Sequence, residues 1–332
     1  MAIFFVMRQG RGMPNYWMIS NRNTRNDGLG ARVADLSYWV ADDGDLGEFG
    51  SWSRVTEKSF KTMLGAAAGK FPVLPLEEHL SQKHVTLFIH GYNTNWSQAA
   101  QRYQRLCQSL FEGADPLGIC VLYSWPSDGD TLGYYPDRED ARASAVALAD
   151  ILDSLYAWLV KKQREAMSAS ELACRAKTSV IAHSMGSYVL QCAMQVAWKR
   201  NNQPLTASLI NQLLMVAADV DNDLFRSGET VDKSDGDAIA NLCYRVTSLF
   251  SRRDPVLALS AGLKNFGKRR LGRSGLDTGE DCIPPDNVCE HECSGLFDSD
   301  VPDSRVHSAY FDSVGTLDLM RTVLKGVDRT LV

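Results

Sequence analysis

The sequence has little of what marks several function classes. Among its 332 residues, 35 are Lys or Arg against 40 Asp or Glu, a formal net charge of −5 with histidine neutral. Without a basic surplus there is no broad phosphate-binding face, which argues against nucleic acid as the main partner. No apolar run approaches the roughly 18 residues that a membrane span requires. The opening "MAIFFVMRQGRG" has a very short apolar run whose positive charges follow it, unlike a secretory signal. Eight cysteines in a chain of this length do not resemble a small disulfide scaffold. Internal repeats and low-complexity stretches are missing as well. The expectation is a soluble, cytoplasmic protein, with its oligomeric state left open.

What is present suits a globular enzyme-sized chain. Hydrophobic residues make up 45% and charged residues 23%, ordinary values that allow a substantial core. Residues 1–65 read as short strands and turns ("AIFFVM", "NYWMIS", "LSYWVAD") with a short helix near "TEKSFKTML". They predict a β-rich N-terminal extension packed on a core of residues 66–332. From residue 85 the rhythm changes to strands at 85–89, 118–125, 178–182, 213–218, 244–250 and 288–292, with helices between. The long central helix is expected from about Asp140, with Ala141, Ala145, Leu148, Leu152, Leu155 and Leu159 on one face. Continuous apolar strands alternating with helices predict an α/β fold whose mostly parallel sheet is covered on both faces.

In such a sheet, functional groups gather at the carboxyl ends of the strands. After strand 178–182 comes "HSMG", the strand–turn–helix setting of a nucleophile elbow, with Ser184 at its tip. Gly186 supplies one of the small flanking residues, and Ala182 stands where glycine is usual. The plainer role for Ser184 is a helix N-cap. A hydroxyl nucleophile needs a base. Of six histidines, His307 is favoured: it follows the last strand, on what reads as a Pro/Asp/Ser loop. His183 is adjacent to Ser184 but is expected to point away from it. The orienting acid is Asp254 or, as the alternative, Asp219; both respect the chain order serine, acid, histidine.

Acyl transfer also needs donors for the developing oxyanion. The backbone N–H groups of Met185 and Tyr92 are the candidates, with His90 and Gly91 shaping the loop at the end of strand 85–89 and expected, with Trp125, to contact the substrate. Trp125 in "SWPS" is either a wall of the acyl pocket or simple loop packing. The basic stretch "KNFGKRRLGR" (264–273) reads as a solvated loop. Cys107, Cys174, Cys192 and Cys243 sit among apolar residues of expected helices. Cys282, Cys289, His291 and Cys293 match no standard zinc spacing, so no metal or other cofactor is expected.

Taken in order, "LFIHGYNTNW", "YSWPSDGD", "VIAHSMGSYVL", "VAADVDNDLF", "FSRRDPVLALS" and "VHSAYFDS" resemble the α/β-hydrolases grouped as a family of unknown function, DUF900. "WMISNRNTRND" also resembles that family's opening, with Ser20 where threonine is more frequent. The resemblance implies an α/β-hydrolase fold with Ser184, an acid and His307 at matching positions, and it implies no particular substrate. "GKRRLG" (267–272) belongs to the same pattern, which implies Arg269 and Arg270 as ligands of a substrate carboxylate or phosphate, against the plainer reading of a surface loop paired with nearby acids. The expected activity is hydrolysis of a small carboxylic ester. A lipase, phospholipase or amidase would use the same residues, and an inactive binding module would keep the fold without the chemistry.

Overall fold

The structure, a computed structural model, describes residues 13–72, 74, 76–127, 134–168, 176–201, 208–226, 234–265, 267–279 and 283–327. The expected strand "AIFFVM", Cys174 and Cys282 lie outside these residues. Along one edge of a single sheet stand β1 (Tyr16–Arg25), β2 (Gly28–Ala41) and β3 (Ser53–Val55). The sheet continues through β4 (His84–Ile89), β5 (Gly118–Ser124), β6 (Lys177–His183), β7 (Ile210–Val216), β8 (Cys243–Phe250) and β9 (Val288–Glu292). Its spatial order is β3-β2-β1-β5-β4-β6-β7-β8-β9. The β1–β2 and β2–β3 pairs are antiparallel, and every other neighbouring pair is parallel.

Successive side chains on a strand point to opposite faces, and both faces here are apolar. Ile89, Val121, Tyr123, Val180 and Ala182 therefore enter one core, while Phe88, Leu122, Ile181, Leu214 and Val216 enter the other. The first core is closed by α1 (Glu57–Ala68), α3 (Tyr134–Ser168), α4 (Met185–Arg200) and α5 (Ser234–Leu242), through residues such as Phe60, Leu148, Val189 and Ile239. The second is closed by α2 (Trp96–Leu106), α8 (Val306–Ala309) and α9 (Val314–Lys325), through Tyr103, Val306 and Met320. Two short helices, α6 (Pro255–Leu259) and α7 (Leu271–Ser274), lie at the carboxyl ends of the strands.

Several boundaries differ from the sequence reading. The central helix starts at Tyr134, six residues before Asp140. Cys243 opens β8 and is not helical. Ala217 and Ala218 fall beyond β7, because Ala217 turns to a positive φ of 46° that ends the pairing. The N-terminal strands are longer than expected, and β1 joins β5 in parallel at Trp17–Ser20, so they extend the same sheet.

Strand β4 lies at the centre of the sheet, with a fully buried histidine at each end: His84 as its first residue and His90 just past its last. Burial, and then Lys177 and Lys83, lower the His84 pKa from 6.5 to about 3. Burial, and then Arg22, lower His90 likewise to about 3. Both pKa values are depressed on folding, so the stability they carry is complete above pH 6.5 and is lost as pH falls toward about 3. Between pH 6.5 and 5 each histidine should cost about 2 kcal/mol. Urea unfolding at pH 7 and pH 5, before most carboxylates titrate, is expected to show that fall. Equal midpoints at the two pH values would contradict it.

Candidate active site

Ser184 occupies the step from β6 into α4, at φ 53° and ψ −125°, a region that residues other than glycine rarely adopt. The strand end keeps it there. Its N–H donates to Val216 O at 2.9 Å, and its carbonyl accepts from Ser187 N at 3.0 Å and Asp219 N at 3.1 Å. The side chain makes no N-cap bond to α4, so it does not act as an ordinary helix cap. It lies instead 2.9 Å from Nε2 of His307.

Two glycines let the chain crowd this point. A Cβ on Gly186 would stand 2.5 Å from His90 O and 2.7 Å from Ile89 O, so only glycine lets the first turn of α4 cross the end of β4. A Cβ on Gly91 would come within 2.8 Å of both Ser184 Cβ and His183 Nδ1. The loop after β4 thus lies directly against the serine. Trp125 lies beneath that loop, fully buried; its ring stacks on His90 at 5.3 Å and its Nε1 donates to His90 O at 2.8 Å. His90 donates from Nδ1 to Gly91 O at 2.9 Å. Tyr92 is half-buried, with its carbonyl accepting from the Thr94 hydroxyl at 3.0 Å.

His307 stands on the short helix α8, not on the irregular loop expected from its flanking residues. Its Nδ1 is 2.7 Å from Oδ2 of Asp254. The other oxygen of Asp254 accepts the Leu257 N–H at 3.0 Å, capping α6, and the carboxylate is completely buried. Asp254 is therefore a helix cap and the partner of His307 at once. With a carboxylate accepting at Nδ1, the proton sits there, and Nε2 is left to accept from the Ser184 hydroxyl.

Asp219 has a different neighbourhood. Its Oδ1 accepts from Arg270 Nε at 2.9 Å and from the Ser260 hydroxyl at 2.7 Å, and its carbonyl accepts from Arg270 Nη2 at 2.8 Å. Arg270 also pairs with Asp221 through Nη1. Arg270 is only 1% exposed, which overturns the reading of the whole 264–273 stretch as solvated. Lys268 and Arg269 are exposed, and Lys268 pairs with Asp221 at 2.9 Å.

Sequence reasoning gave His183 no part beyond pointing away from the elbow. Its ring does avoid the Ser184 hydroxyl, but Nε2 lies 2.9 Å from the carbonyl of His307. A carbonyl only accepts, so Nε2 carries the proton and Nδ1 faces Nη1 of Arg102 at 3.4 Å. Arg102 reaches the Ser308 hydroxyl at 3.2 Å as well. Burial first, then His307 and Arg102, hold the His183 pKa well below 6.5, and the ring is neutral. The residue before the serine thus holds the backbone of His307. A contact between positions 124 residues apart has no local sequence signal.

Cys289 and His291 are half-buried on β9 and Cys293 is buried just past it. Among the described residues, no group of three His, Cys, Asp or Glu side chains is arranged to hold a metal. Nor is any helix among them long and apolar enough to cross a membrane.

Residues 74–280 match the family model described as alpha/beta hydrolase of unknown function (DUF900). An uncharacterised protein of Nostoc, alr1448, is 24% identical over 303 residues, spanning 73% of this chain and 74% of its own. Among solved structures, carboxyl esterase 2 of the fungus Tuber melanosporum has 10% identity and a TM-score of 0.37, over 94% of this chain and 91% of that one. A cold-adapted esterase from an Arctic intertidal metagenomic library has 15% identity and a TM-score of 0.35, over 73% and 82%. Scores this low leave the assignment to the sequence match, which covers more than half of the chain. The protein belongs to the DUF900 family of α/β-hydrolases.

Proposed function

We propose that this protein is a serine hydrolase that cleaves carboxylic esters through an acyl-enzyme on Ser184. One observation carries the reading: Ser184, His307 and Asp254 are joined by hydrogen bonds of 2.9 and 2.7 Å at a strained strand-to-helix turn. A serine hydroxyl attacks a carbonyl only when a base removes its proton as the bond forms. In this reading Nε2 of His307 takes that proton while Ser184 Oγ adds to the ester carbonyl. Asp254 keeps its charge throughout and stabilises the imidazolium. The N–H groups of Met185 and Tyr92 receive the oxyanion, the first of them at the positive end of α4. The imidazolium then gives its proton to the departing alcohol, leaving the acyl group on Ser184. Water, deprotonated by His307, adds to the acyl carbon, and the acid leaves as Ser184 regains its proton.

In the same reading His90, Gly91 and Trp125 shape the loop that presents Tyr92. The preference for short to medium acyl chains rests on the sequence, which has no long apolar insertion between strands to form a large lid. Hydrolysis of p-nitrophenyl butyrate by the wild type, compared with Ser184→Ala of unchanged circular dichroism, tests the reading. The variant should lose at least about 10³-fold in kcat. Equal rates would remove Ser184 from the chemistry. Inertness of both proteins toward the butyrate, a long-chain ester and an anilide would sink the hydrolase reading.

The two acids separate in a second experiment. Asp254→Asn is expected to lower kcat by about 10²–10⁴-fold, since the imidazole loses its orienting partner. Asp219→Asn should leave kcat within about threefold and lower stability by about 3 kcal/mol, because it weakens a buried ion pair with Arg270. Per-site rates and urea unfolding of both variants measure this. A large kcat loss in Asp219→Asn alone would exchange the two assignments.

A further inference from the structure

The N-terminal strands lie outside both the family match and the hydrogen-bonded chain at Ser184, yet they send a charged side chain into the turns after β4 and β5. In the pairing of β1 with β2 the register shifts between Ser20 and Arg22 and again between Arg22 and Thr24. Such irregularities break the alternation of a strand and re-aim side chains. Asn21 and Arg22 are consecutive, yet both are buried, at 0% and 2% exposure.

The Arg22 guanidinium fans out over three segments of chain. Its Nε donates to the Ser124 hydroxyl at 3.0 Å, at the end of β5. Nη1 donates to Gly30 O at 3.2 Å and to Ser127 O at 3.1 Å, and Nη2 to Thr94 O at 2.9 Å. Thr94 closes the turn that follows β4, two residues after Tyr92. The Thr94 N–H is also held, by the Ser127 hydroxyl at 3.2 Å, and Asn93 between them takes a positive φ of 54°. Arg22 therefore grips the same turn whose Gly91 lies so close to Ser184 that a Cβ there would meet it. Its positive charge is felt at the same place, since after burial it is the largest influence lowering the His90 pKa.

We propose that Arg22 is a positioning residue for the Gly91–Thr94 turn, so that the N-terminal strands set the placement of the Tyr92 N–H beside Ser184. The inference rests on the ester-hydrolase reading for its catalytic consequence, but the grip itself does not. A planar fork can join carbonyls from several directions, whereas a lysine ammonium is a single point on a flexible stem. Removing the grip should loosen the turn and weaken binding of the oxyanion more than binding of the ester.

The test compares wild type with Arg22→Lys and Arg22→Met, the lysine variant being the milder change if the methionine variant fails to fold. Rates are expressed per Ser184 titrated with a fluorophosphonate, so that misfolded protein does not count. For p-nitrophenyl butyrate, kcat is expected to fall about tenfold in Arg22→Lys and about 10²-fold in Arg22→Met, with KM within about threefold. The inhibition constant of a trifluoromethyl ketone, which forms an oxyanion on the serine, should rise by the same factors. Hydrogen exchange supplies a readout that needs no activity: a peptide spanning residues 90–95 should exchange about tenfold faster in Arg22→Lys, while one spanning 184–190 keeps its wild-type rate. Unchanged exchange across 90–95 would overturn the grip whether or not the protein hydrolyses esters. Faster exchange with unchanged ketone affinity in an active enzyme would overturn the link to the oxyanion. A wild type inert toward esters and unlabelled by the fluorophosphonate would strike the hydrolase reading, and the exchange result would still decide the grip.

Discussion

The site depends on one backbone constraint, the positive φ of Ser184. A non-glycine residue in that region costs on the order of 1–3 kcal/mol and relaxes unless its surroundings hold it. Here the holding is done by parallel pairing on both sides. Ala182 is in register with Ile89 of β4, and His183 with Val216 of β7. The Ser184 N–H then continues the ladder to Val216 O, and its carbonyl takes the Asp219 N–H beyond the end of β7. Central strands that are apolar on both faces make that pairing rigid, and rigidity keeps the hydroxyl raised toward His307. The core and the strained turn are two consequences of the same sheet.

Histidine placement is the harder problem, because α8 is only four residues long and cannot orient itself. Three anchors substitute for regular structure. Asp254 holds Nδ1 while being fixed in turn as the cap of α6, His183 holds the backbone carbonyl, and Arg102 reaches Ser308. Two of the three originate on regular elements of the fold, His183 on β6, which leads into Ser184, and Arg102 on α2. The distance between serine and imidazole is thereby tied to the sheet and not to the long connection from β9.

How much of this was legible in the sequence follows from the range of each signal. Ser184, Asp254 and His307, which hydrogen bonds join in the structure, could be expected near one another because strand ends are marked by local apolar runs and these residues follow them. The parallel strands from β4 onward were found within one residue for the same reason, except β7, which starts three residues before the expected 213 and ends two before the expected 218. The N-terminal strands were underestimated because polar residues such as Asn21, Asn23 and Thr24 lie inside β1, where apolar periodicity offers no guide. Arg270 was misread as surface since five basic residues in ten look solvated, and nothing local says that Asp219, 51 positions away, accepts its Nε. Arg22 is the same case at greater range, with acceptors 72 and 105 positions distant.

Those two arginines also show how irregular chain is held at the carboxyl edge of a parallel sheet. Loops there leave the ladder and present carbonyls in directions that no strand can meet. A buried carbonyl without a donor is costly, and water is one remedy. A guanidinium is another, since its donors lie in a fixed plane and can satisfy several carbonyls at once. Arg22 does this for the turns after β4 and β5, and Arg270 does it for the turn after β7. The difference is in the company. Arg270 meets the carboxylates of Asp219 and Asp221 and is enclosed as an ion pair, so its donors face inward and are poorly placed to receive a ligand. Arg22 meets carbonyls of the turn that touches Ser184, so its geometry is transmitted to the site through the backbone. Equal burial of the same side chain therefore yields a strut in one place and a hold on the turn beside Ser184 in the other, and the residues accepting its hydrogen bonds make the distinction.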